Sequence, residues 1–301
     1  MIGESELILN PDGTVYHLHL RPEQVARDII TVGDPGRVAE VSRRFDRVDT
    51  KVEAREFVTH TGELNGRRLT VISTGIGTDN VDIVLNELDA LFNVDLATRE
   101  IRDVKTKLNF LRLGTSGAFQ PDLPLDSLLL SEAALGLDGL LSFYSVEGDT
   151  ALRRELEEHL AADGQRLPGT PVMVRAALPP GMAHPAAAGL PRGITLTAAG
   201  FYAPQGRSLR LPTRMDAPLL KSLRAYRSAE GLRITNIEME TAGIYGLASA
   251  LGHRAASLSA LLANRAEGTF SRDPAAAVER LIDFGLLLLT DGDYGADAIQ
   301  E

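Results

Sequence analysis

The sequence predicts an α/β fold built on a central, largely parallel or mixed sheet. Three apolar runs, 29–32, 67–73 and 110–113, have the pattern of buried strands, and each leads into a glycine-containing turn. Helical stretches separate the runs. Loops that follow parallel strands gather at one edge of a sheet, so we expect the three turns to form one site.

The composition is that of an ordinary globular protein and excludes several functional classes. Hydrophobic residues make up 44% and charged residues 24% of the 301 positions, enough for one large domain or two modest ones. A net charge of −10 with scattered arginines argues against a nucleic acid polymer as a partner. Cys is absent and the six His lack metalloprotease spacing, so we expect neither disulfides nor a metal cofactor.

No segment has the pattern of an export signal or a membrane span. The first six residues are acidic and lack the basic and then apolar order of a secretory signal. The most apolar run, 284–289, is far shorter than the roughly 20 residues of a membrane span, and Asp283 and Asp291 bracket it. We therefore expect a cytoplasmic protein that has no membrane partner.

The chain is predicted to form a single domain over residues 15–290. Residues 1–14 are expected to be an N-terminal extension, and residues 291–301, rich in Asp and Gly, a disordered acidic tail. Residues 164–192 carry six prolines with many Ala and Gly, which predicts an insertion that forms a surface excursion or a mobile flap. No internal repeat or linker divides the chain.

The other elements follow from apolar periodicity and from capping signals. Further strands are predicted over 15–20 at an edge, 53–61, 193–196, 232–235 and 257–263. Helices are predicted over 38–45, 149–161 and from Asp273 and Pro274, an N-cap and a first-turn proline, to about 289. His17 and His19 share a face of the edge strand and are expected to be exposed unless a third metal ligand joins them.

The first and third turns bring arginine to the expected site. Gly33 to Arg37 follows a strand and opens a helix, an arrangement that aims backbone N–H groups at an anion. Arg112 is flanked by apolar residues, and a buried Arg requires an anionic partner. Each turn alone could be ordinary, and Asp79 or Asn80 could simply cap a helix. Together they predict a phosphate-sized anion, whereas the missing Walker and GxGxxG spacings disfavour ATP and dinucleotides.

The stretch 236–241 places two carboxylates around a thioether between a strand and a helix. In an extended segment Glu238 and Glu240 lie on one face and Met239 on the other. A carboxylate accepts two hydrogen bonds from a vicinal diol such as that of ribose, and Met offers an adaptable apolar surface. Alternatively, Glu240 only complements the positive end of the helix that follows.

The stretch 200–207 combines an aromatic face at Phe201 and Tyr202, an amide at Gln205 and a guanidinium at Arg207. Stacking together with an amide is how a protein reads the edge of a heterocyclic base. As an isolated motif, the stretch could equally be an ordinary turn that carries these side chains on its surface.

Four motifs, taken in order, resemble the nucleoside phosphorylase family in its pyrimidine-type branch, the uridine phosphorylases. They are Gly-Asp-Pro-Gly-Arg at 33–37, Phe-Leu-Arg-Leu-Gly-Thr-Ser-Gly at 110–117, Phe-Tyr-Ala-Pro-Gln-Gly-Arg at 201–207 and Asn-Ile-Glu-Met-Glu at 236–240. The resemblance covers residues 16–289 and is poor over 135–195. It implies a three-layer fold with a central mixed, partly barrel-like sheet flanked by helices, in one catalytic domain.

The resemblance implies a pentosyltransferase that reversibly converts uridine and phosphate into uracil and ribose 1-phosphate. Phosphate is then a co-substrate and no cofactor is needed. The motif positions imply ligands for phosphate (Gly33, Arg37, Arg55, Arg112, Thr115), ribose (His17, Thr115, Met239, Glu240) and base (Phe201, Gln205, Arg207, Leu262, Ala263). Arg112, Glu240, Arg207 and Gln205 are the implied catalytic residues.

Sites shared between subunits are also implied by the resemblance. Arg55 and His17 would reach the site of a neighbouring subunit, which makes a homodimer the minimum and a hexamer of dimers the larger alternative. Glu56, Ile76 and Asn80 match positions that bind a monovalent cation in some relatives, although Asn80 stands where Ser is more usual.

Three other functions stay open at this point: a purine nucleoside phosphorylase, a nucleoside hydrolase of the same fold and a non-catalytic nucleoside-binding protein. Purine-specific relatives place an Asp after the last core strand, whereas 261–265 contains no acid. A hydrolase has no use for Arg37, Arg55 and Arg112 together. Ala203 and Pro204 replace a more usual Pro-Gly, which leaves preference among uridine, deoxyuridine and thymidine open.

Overall fold

The computed structural model describes residues 1–291, in which helices cover both faces of a central sheet. The strands are β1 (Asp28–Val32), β2 (Arg47–Ala54), β3 (Phe57–Leu64), β4 (Arg67–Ser73), β5 (Val94–Asp95), β6 (Glu100–Ile101), β7 (Asn109–Ala118), β8 (Leu128–Gly136), β9 (Val172–Arg175), β10 (Arg192–Thr197), β11 (Ile234–Glu238), β12 (Arg254–Asn264) and β13 (Thr269–Phe270). The helices are α1 (Pro35–Ser42), α2 (Thr78–Asn93), α3 (Thr150–Ala162), α4 (Ala217–Ala225), α5 (Thr241–Ala250) and α6 (Pro274–Thr290).

Part of the central sheet closes on itself. β7 pairs with β12, and the order then runs through β8, β10 and β11 back to β7. The resulting barrel contains both kinds of pairing, since β12 lies parallel to β7 and antiparallel to β8. From β7 the sheet continues outwards through β1, β4, β3 and β2. The predicted mixed, partly barrel-like sheet is confirmed.

Two apolar clusters cover opposite faces of the sheet. α2 and α5 contribute Leu88 and Leu247 to one cluster, whereas α1 and α6 contribute Val38 and Leu281 to the other. The adjacent residues 29 and 30 of β1 belong to different clusters, and adjacent side chains of a strand point to opposite faces. The helices therefore form the two outer layers of a three-layer fold.

The interior of the barrel is polar. Arg112 of β7, Glu238 of β11 and Ser257 of β12 are buried there, together with Thr195 and Ser131. Arg112 Nη2 lies 3.0 Å from Glu238 Oε2, and the hydroxyls of Ser131 and Thr195 are 2.5 Å apart. Buried polar groups are costly unless they are paired, so this network holds the side chains of the barrel in fixed positions.

Residues 15–20 form a turn, so the predicted edge strand is wrong. Val15 pairs only in an isolated bridge with Leu9, and its N–H donates to the Leu20 carbonyl at 3.1 Å. His19 has a φ of 53°, which lies outside the extended region. The apolar side chains of this segment are buried in the core cluster that also contains Leu88 and Leu247, and this burial produced the strand-like pattern.

Other strand predictions have wrong bounds, and the strand predicted over 232–235 lies two residues later, as β11. The predicted strand over 53–61 is a hairpin, because β2 ends at Ala54, Arg55 adopts a φ of 56° and β3 begins at Phe57. The predicted loop 114–118 is the second half of β7, which keeps its pairing with β12 up to Ala118. Glycine suggested a loop, but in this strand it gives room to a neighbouring side chain, as shown below.

Part of the segment 164–192, which was expected to form a surface excursion or flap, packs against the rest of the domain. β9 extends the sheet by pairing antiparallel with β8, and Met173, Met182 and Ala187 are buried. The prolines that suggested a flap begin two short 3₁₀ turns, Pro180–Ala183 and Pro185–Gly189. Of the predicted tail 291–301, only residue 291 lies within the described part of the chain.

Candidate active site

The barrel ends at a cavity of about 860 Å³. The turn after β1, the turn after β4, the second half of β7 and the junction between β11 and α5 all border it. The structure brings together there the predicted residues Gly33, Arg37, Glu56, Ile76, Arg112, Thr115, Phe201, Gln205, Arg207, Met239, Glu240, Leu262 and Ala263. A cavity of this size holds a small organic ligand and leaves the reacting groups close together.

Gly33, Asp34 and Arg37 line one part of the cavity, at the turn after β1. The Asp34 side chain accepts a hydrogen bond from the Gly36 N–H at 2.8 Å, which caps α1 and fixes the turn between Gly33 and Arg37. Arg37 Nη1 donates to the Leu113 carbonyl at 3.3 Å, so its guanidinium is held beside β7. Burial lowers the pKa of Arg37 in spite of nearby Asp34. An anion that entered would relieve this desolvated positive charge.

Arg112 is held by two carboxylates of the chain itself. Its Nη2 lies 2.7 Å from Glu240 Oε2 and 3.0 Å from Glu238 Oε2, and all three side chains are buried. Burial works against the charge of Arg112, but the two carboxylates outweigh it and raise the pKa of the guanidinium. The anionic partner that burial of Arg112 requires is therefore present without a ligand.

Gly114 makes room for this guanidinium. A Cβ at position 114 would lie 2.0 Å from Nη1 and 2.3 Å from Cζ of Arg112. Such distances do not occur between non-bonded atoms, so the side chain of Arg112 occupies the space that only a glycine leaves open. Gly114 therefore lies within a strand and leaves the space that the guanidinium of Arg112 occupies.

Glu240 joins three parts of the cavity wall. Its Oε2 contacts Arg112 of β7, and its Oε1 accepts from the Gly77 N–H at 2.8 Å, at the start of α2. Glu238 accepts from Thr197 Oγ1 at 2.7 Å and from the Glu240 N–H at 2.9 Å. Burial raises the pKa of Glu238, and the nearby carboxylate of Glu240 raises it further. The positive charge of Arg112 acts in the opposite direction but does not outweigh them. Both carboxylates lie on the side of Arg112, as predicted for alternate residues of an extended segment.

Another part of the cavity wall combines an aromatic ring, an amide and a guanidinium. Phe201 is 53% exposed, and the guanidinium carbon of Arg207 lies 3.8 Å from the centre of its ring. Arg207 Nη1 donates to Gln205 Oε1 and, at 2.7 Å, to the Phe201 carbonyl. Gln205 is buried, and its amide nitrogen keeps two donors for a ligand. Burial lowers the pKa of Arg207.

A family model described as "Phosphorylase superfamily" matches residues 27–285. The chain belongs to the phosphorylase superfamily. This membership confirms the predicted family resemblance and the prediction of an enzyme of the pentosyltransferase class. The match starts just before β1 and ends within α6, so it includes every strand of the barrel.

Individual members of the superfamily resemble the chain over most of its length. A uridine phosphorylase of Thermococcus kodakarensis is 31% identical over 264 residues, which cover 87% of this chain and 81% of that protein. A uridine phosphorylase of Haemophilus influenzae is 29% identical over 259 residues, covering 84% and 87%. A solved Trypanosoma brucei nucleoside phosphorylase, reported to show uridine phosphorylase activity, superimposes with a TM-score of 0.80 at 30% identity, covering 95% of this chain and 100% of that one.

Some residues of the cavity were not among the predicted ligands of this phosphorylase. Arg265 lines the cavity with Asn264 and Phe270. Burial, together with Arg207 and Arg224, lowers the pKa of Arg265 to about 10, and its Nη1 has no hydrogen-bond partner among residues 1–291. The sequence placed Arg265 at the end of the last core strand, but only the fold brings it beside Arg207.

Three predicted residues do not line the cavity of their own chain: His17, Arg55 and Asn80. The guanidinium carbon of Arg55 lies 5.4 Å from the centre of the Tyr16 ring, which contacts the ring of His17 edge-on at 4.9 Å between centroids. Arg55 and His17 therefore lie together on a separate surface patch. Asn80 lies behind the cavity wall, with its amide nitrogen 2.5 Å from where a Cβ on Gly75 would be.

The described residues show neither a membrane helix nor a metal-binding cluster. Within residues 1–291, no helix is both long and apolar enough to cross a bilayer. The same residues contain no group of three or more His, Asp or Glu side chains placed to hold a metal ion.

Proposed function

We propose that this protein catalyses the reversible phosphorolysis of uridine to uracil and ribose 1-phosphate, as a cytoplasmic enzyme of pyrimidine salvage. The observation that carries the proposal is that one cavity is lined by three sets of groups: two arginines with glycine turns, a carboxylate beside a thioether, and an amide paired with a guanidinium. The two uridine phosphorylases named above support the same substrate. Inorganic phosphate is the co-substrate, and the proposal includes no cofactor.

In the proposed reaction, phosphate lies beneath the sugar, held by Gly33, Arg37, Arg112 and Thr115. A phosphate oxygen forms the bond to C1′ of ribose while the bond from C1′ to N1 of uracil breaks. The electron pair of that bond leaves with uracil, which then takes a proton from water. Positive charge develops on the sugar, as in other glycosyl transfers, and the anionic phosphate stabilises it.

Glu240 and Met239 would hold the ribose between the phosphate and the base. The Gly77 N–H and Arg112 fix the carboxylate of Glu240, so it meets the 2′- and 3′-hydroxyls without reorganising. Because Arg112 contacts Glu240 directly, phosphate binding and ribose binding are coupled through one guanidinium. Glu240 orients the sugar in this mechanism and transfers no proton to the base.

In the proposed base site, Gln205 and Arg207 would stabilise the negative charge that develops on the departing uracil. Phe201, Leu262 and Ala263 provide the apolar walls around the ring. Arg265 adds a second cation where purine-specific relatives place an acid, which supports a pyrimidine over a purine base. Deoxyuridine and thymidine are the additional substrates that this geometry admits, because Glu240 can still hold a 3′-hydroxyl.

The proposed active form is a homodimer or a hexamer of dimers. Arg55 and His17 lie together but outside the cavity of their own chain, which supports a role in the cavity of a neighbouring subunit. Arg55 would there complete the phosphate site and His17 would reach the 5′ end of ribose. A monovalent cation site at Glu56, Ile76 and Asn80 is a further, separate proposal.

The decisive experiment measures base release from uridine, deoxyuridine, thymidine and inosine, each with and without inorganic phosphate. We expect uracil from uridine only when phosphate is present. Turnover of inosine in preference to uridine would favour a purine nucleoside phosphorylase, and release without phosphate would favour a hydrolase. Nucleoside binding without any base release would favour a binding protein. Size-exclusion chromatography with light scattering measures the oligomeric state. An active monomer would contradict the proposal that subunits share a site.

A further inference from the structure

His17 is fixed in place by a single carboxylate on α2. Glu87 accepts hydrogen bonds from the backbone N–H of His17 at 3.0 Å and of Leu18 at 2.9 Å, and it also contacts His17 Nδ1. The side chain of Glu87 is only 12% exposed, whereas that of His17 is 31% exposed. The carboxylate is therefore enclosed by donors, and the far side of the imidazole faces outwards.

This geometry determines which ring nitrogen of His17 carries the proton. A carboxylate only accepts hydrogen bonds, so the Nδ1 beside it must carry a hydrogen. In neutral His17 the other nitrogen, Nε2, then has a free lone pair and acts as an acceptor. The exposed edge of the ring consequently suits a hydroxyl donor.

The position of Glu87 keeps His17 away from the cavity of its own chain. Gly77, which contacts Glu240 in that cavity, immediately precedes α2, and Glu87 lies ten residues later. Ten residues at the rise of an α-helix separate the two positions by about 15 Å. His17 also lies beside Tyr16 and Arg55, on the patch that the proposed function assigns to a neighbouring subunit.

We propose that Glu87 is a positioning residue that selects nucleosides with a free 5′-hydroxyl. It holds His17 in the Nδ1–H tautomer, so that Nε2 accepts a hydrogen bond from the 5′-hydroxyl of a nucleoside bound in the neighbouring subunit's cavity. The proposal rests on the proposed function. A 5′-deoxynucleoside loses this hydrogen bond. A 5′-phosphate would place negative charge beside a lone pair and a carboxylate, so nucleotides are excluded.

The test compares kcat/KM for uridine and for 5′-deoxyuridine in the full-length protein and in Glu87→Gln. Gln offers one acceptor oxygen where Glu87 offers two, so it cannot accept from Nδ1–H and from both backbone N–H groups together, and the ring of His17 is no longer held in place. We expect the wild-type preference for uridine to be about tenfold, the value of one good hydrogen bond. Glu87→Gln should remove this preference and leave the rate with 5′-deoxyuridine unchanged.

His17→Ala and the double variant separate positioning from a purely structural role. If Glu87 acts through His17, the double variant loses no more uridine activity than either single variant. Glu158→Gln, an exposed position on α3, is the matched control and should behave as wild type. Equal losses with both substrates in Glu87→Gln, or an unchanged preference, would overturn the role of Glu87. Absence of phosphate-dependent base release in the wild type would instead overturn the proposed function.

A spectroscopic measurement tests the tautomer even if the variants fold poorly. In wild-type protein labelled with ¹⁵N at histidine, the Nδ1 of His17 should show the shift of a protonated nitrogen and Nε2 that of an unprotonated one. A proton on Nε2 at neutral pH, in either the neutral or the charged ring, would overturn the proposal.

Discussion

Gly114→Ala tests whether activity requires the space beside Gly114 that the guanidinium of Arg112 occupies. The new Cβ would lie 2.0 Å from Nη1, 2.3 Å from Cζ and 2.6 Å from Nη2 of Arg112, against about 3.4 Å for an ordinary contact. The guanidinium would have to move by roughly 1.4 Å, the difference between 3.4 and 2.0 Å. A displacement of that size away from Glu240 and Glu238 takes the present distances of 2.7 and 3.0 Å beyond hydrogen-bond range.

The expected effects on stability and on activity differ in size. Overpacking in a buried site costs about 1–3 kcal/mol in free energy of unfolding, which a domain of this size tolerates. A misplacement of about 1 Å at a reacting site lowers the rate about 100-fold. We therefore expect Gly114→Ala to fold and to lose about two orders of magnitude in kcat/KM for phosphate.

Steady-state phosphorolysis of uridine at varied phosphate, together with urea unfolding, measures both quantities. Gly189→Ala is the matched control, since a Cβ there meets no atom within 4 Å. It should leave activity and stability unchanged. Wild-type phosphate kinetics in Gly114→Ala would refute the reasoning, because the guanidinium could then move without consequence for the site.

Three further predictions use the same assays. Arg112→Ala should abolish most activity and the response to phosphate. It should also lower the free energy of unfolding by about 3–5 kcal/mol, because two buried carboxylates lose their partner. Wild-type phosphate affinity in this variant would contradict the prediction. Gln205→Ala should chiefly reduce selectivity for uridine over inosine, and unchanged selectivity would contradict this role. The third prediction concerns Asp149. Burial raises the pKa of its carboxyl, but hydrogen bonds from Leu152 and Arg175 outweigh burial and hold the pKa below its ordinary value. Such a group stabilises the fold at neutral pH and stops doing so as pH falls through the folded pKa. Asp149→Ala should therefore cost about 1 kcal/mol at pH 7 and progressively less below pH 4, measured by urea unfolding at each pH; a constant difference would contradict it.

The composition of the cavity wall could be predicted from the sequence to a large extent. Gly33, Met239 and Glu240 lie within two residues of the end of a strand, and Arg37 lies in the first turn of the helix that follows β1, so the chain order already assigns them to one edge of the sheet. Strand ends are recognisable because buried strands have apolar runs and their turns carry glycine. Local signals of this kind predicted these positions without any knowledge of packing.

Predictions failed where a local signal had a tertiary cause. Residues 15–20 look like a strand because their apolar side chains are buried, but a turn held by Glu87 buries them. Gly114 suggested a loop, although it lies in a strand and makes room for a side chain two residues away. The prolines of 164–192 suggested a flap, but Pro180 begins a turn that packs against α6, and residues 172–175 of the same segment form a strand of the sheet.

The sequence by itself determined the α/β class, the order in which strands and their glycine-containing turns follow along the chain, and most of the residue types at the site. These features depend on local patterns. Only the tertiary structure decided that five strands close into a barrel with a polar interior, that Arg112 is shared by Glu238 and Glu240, and that Arg265 lies beside Arg207. These features join residues 40 or more positions apart, and no local pattern records which distant strands will pair.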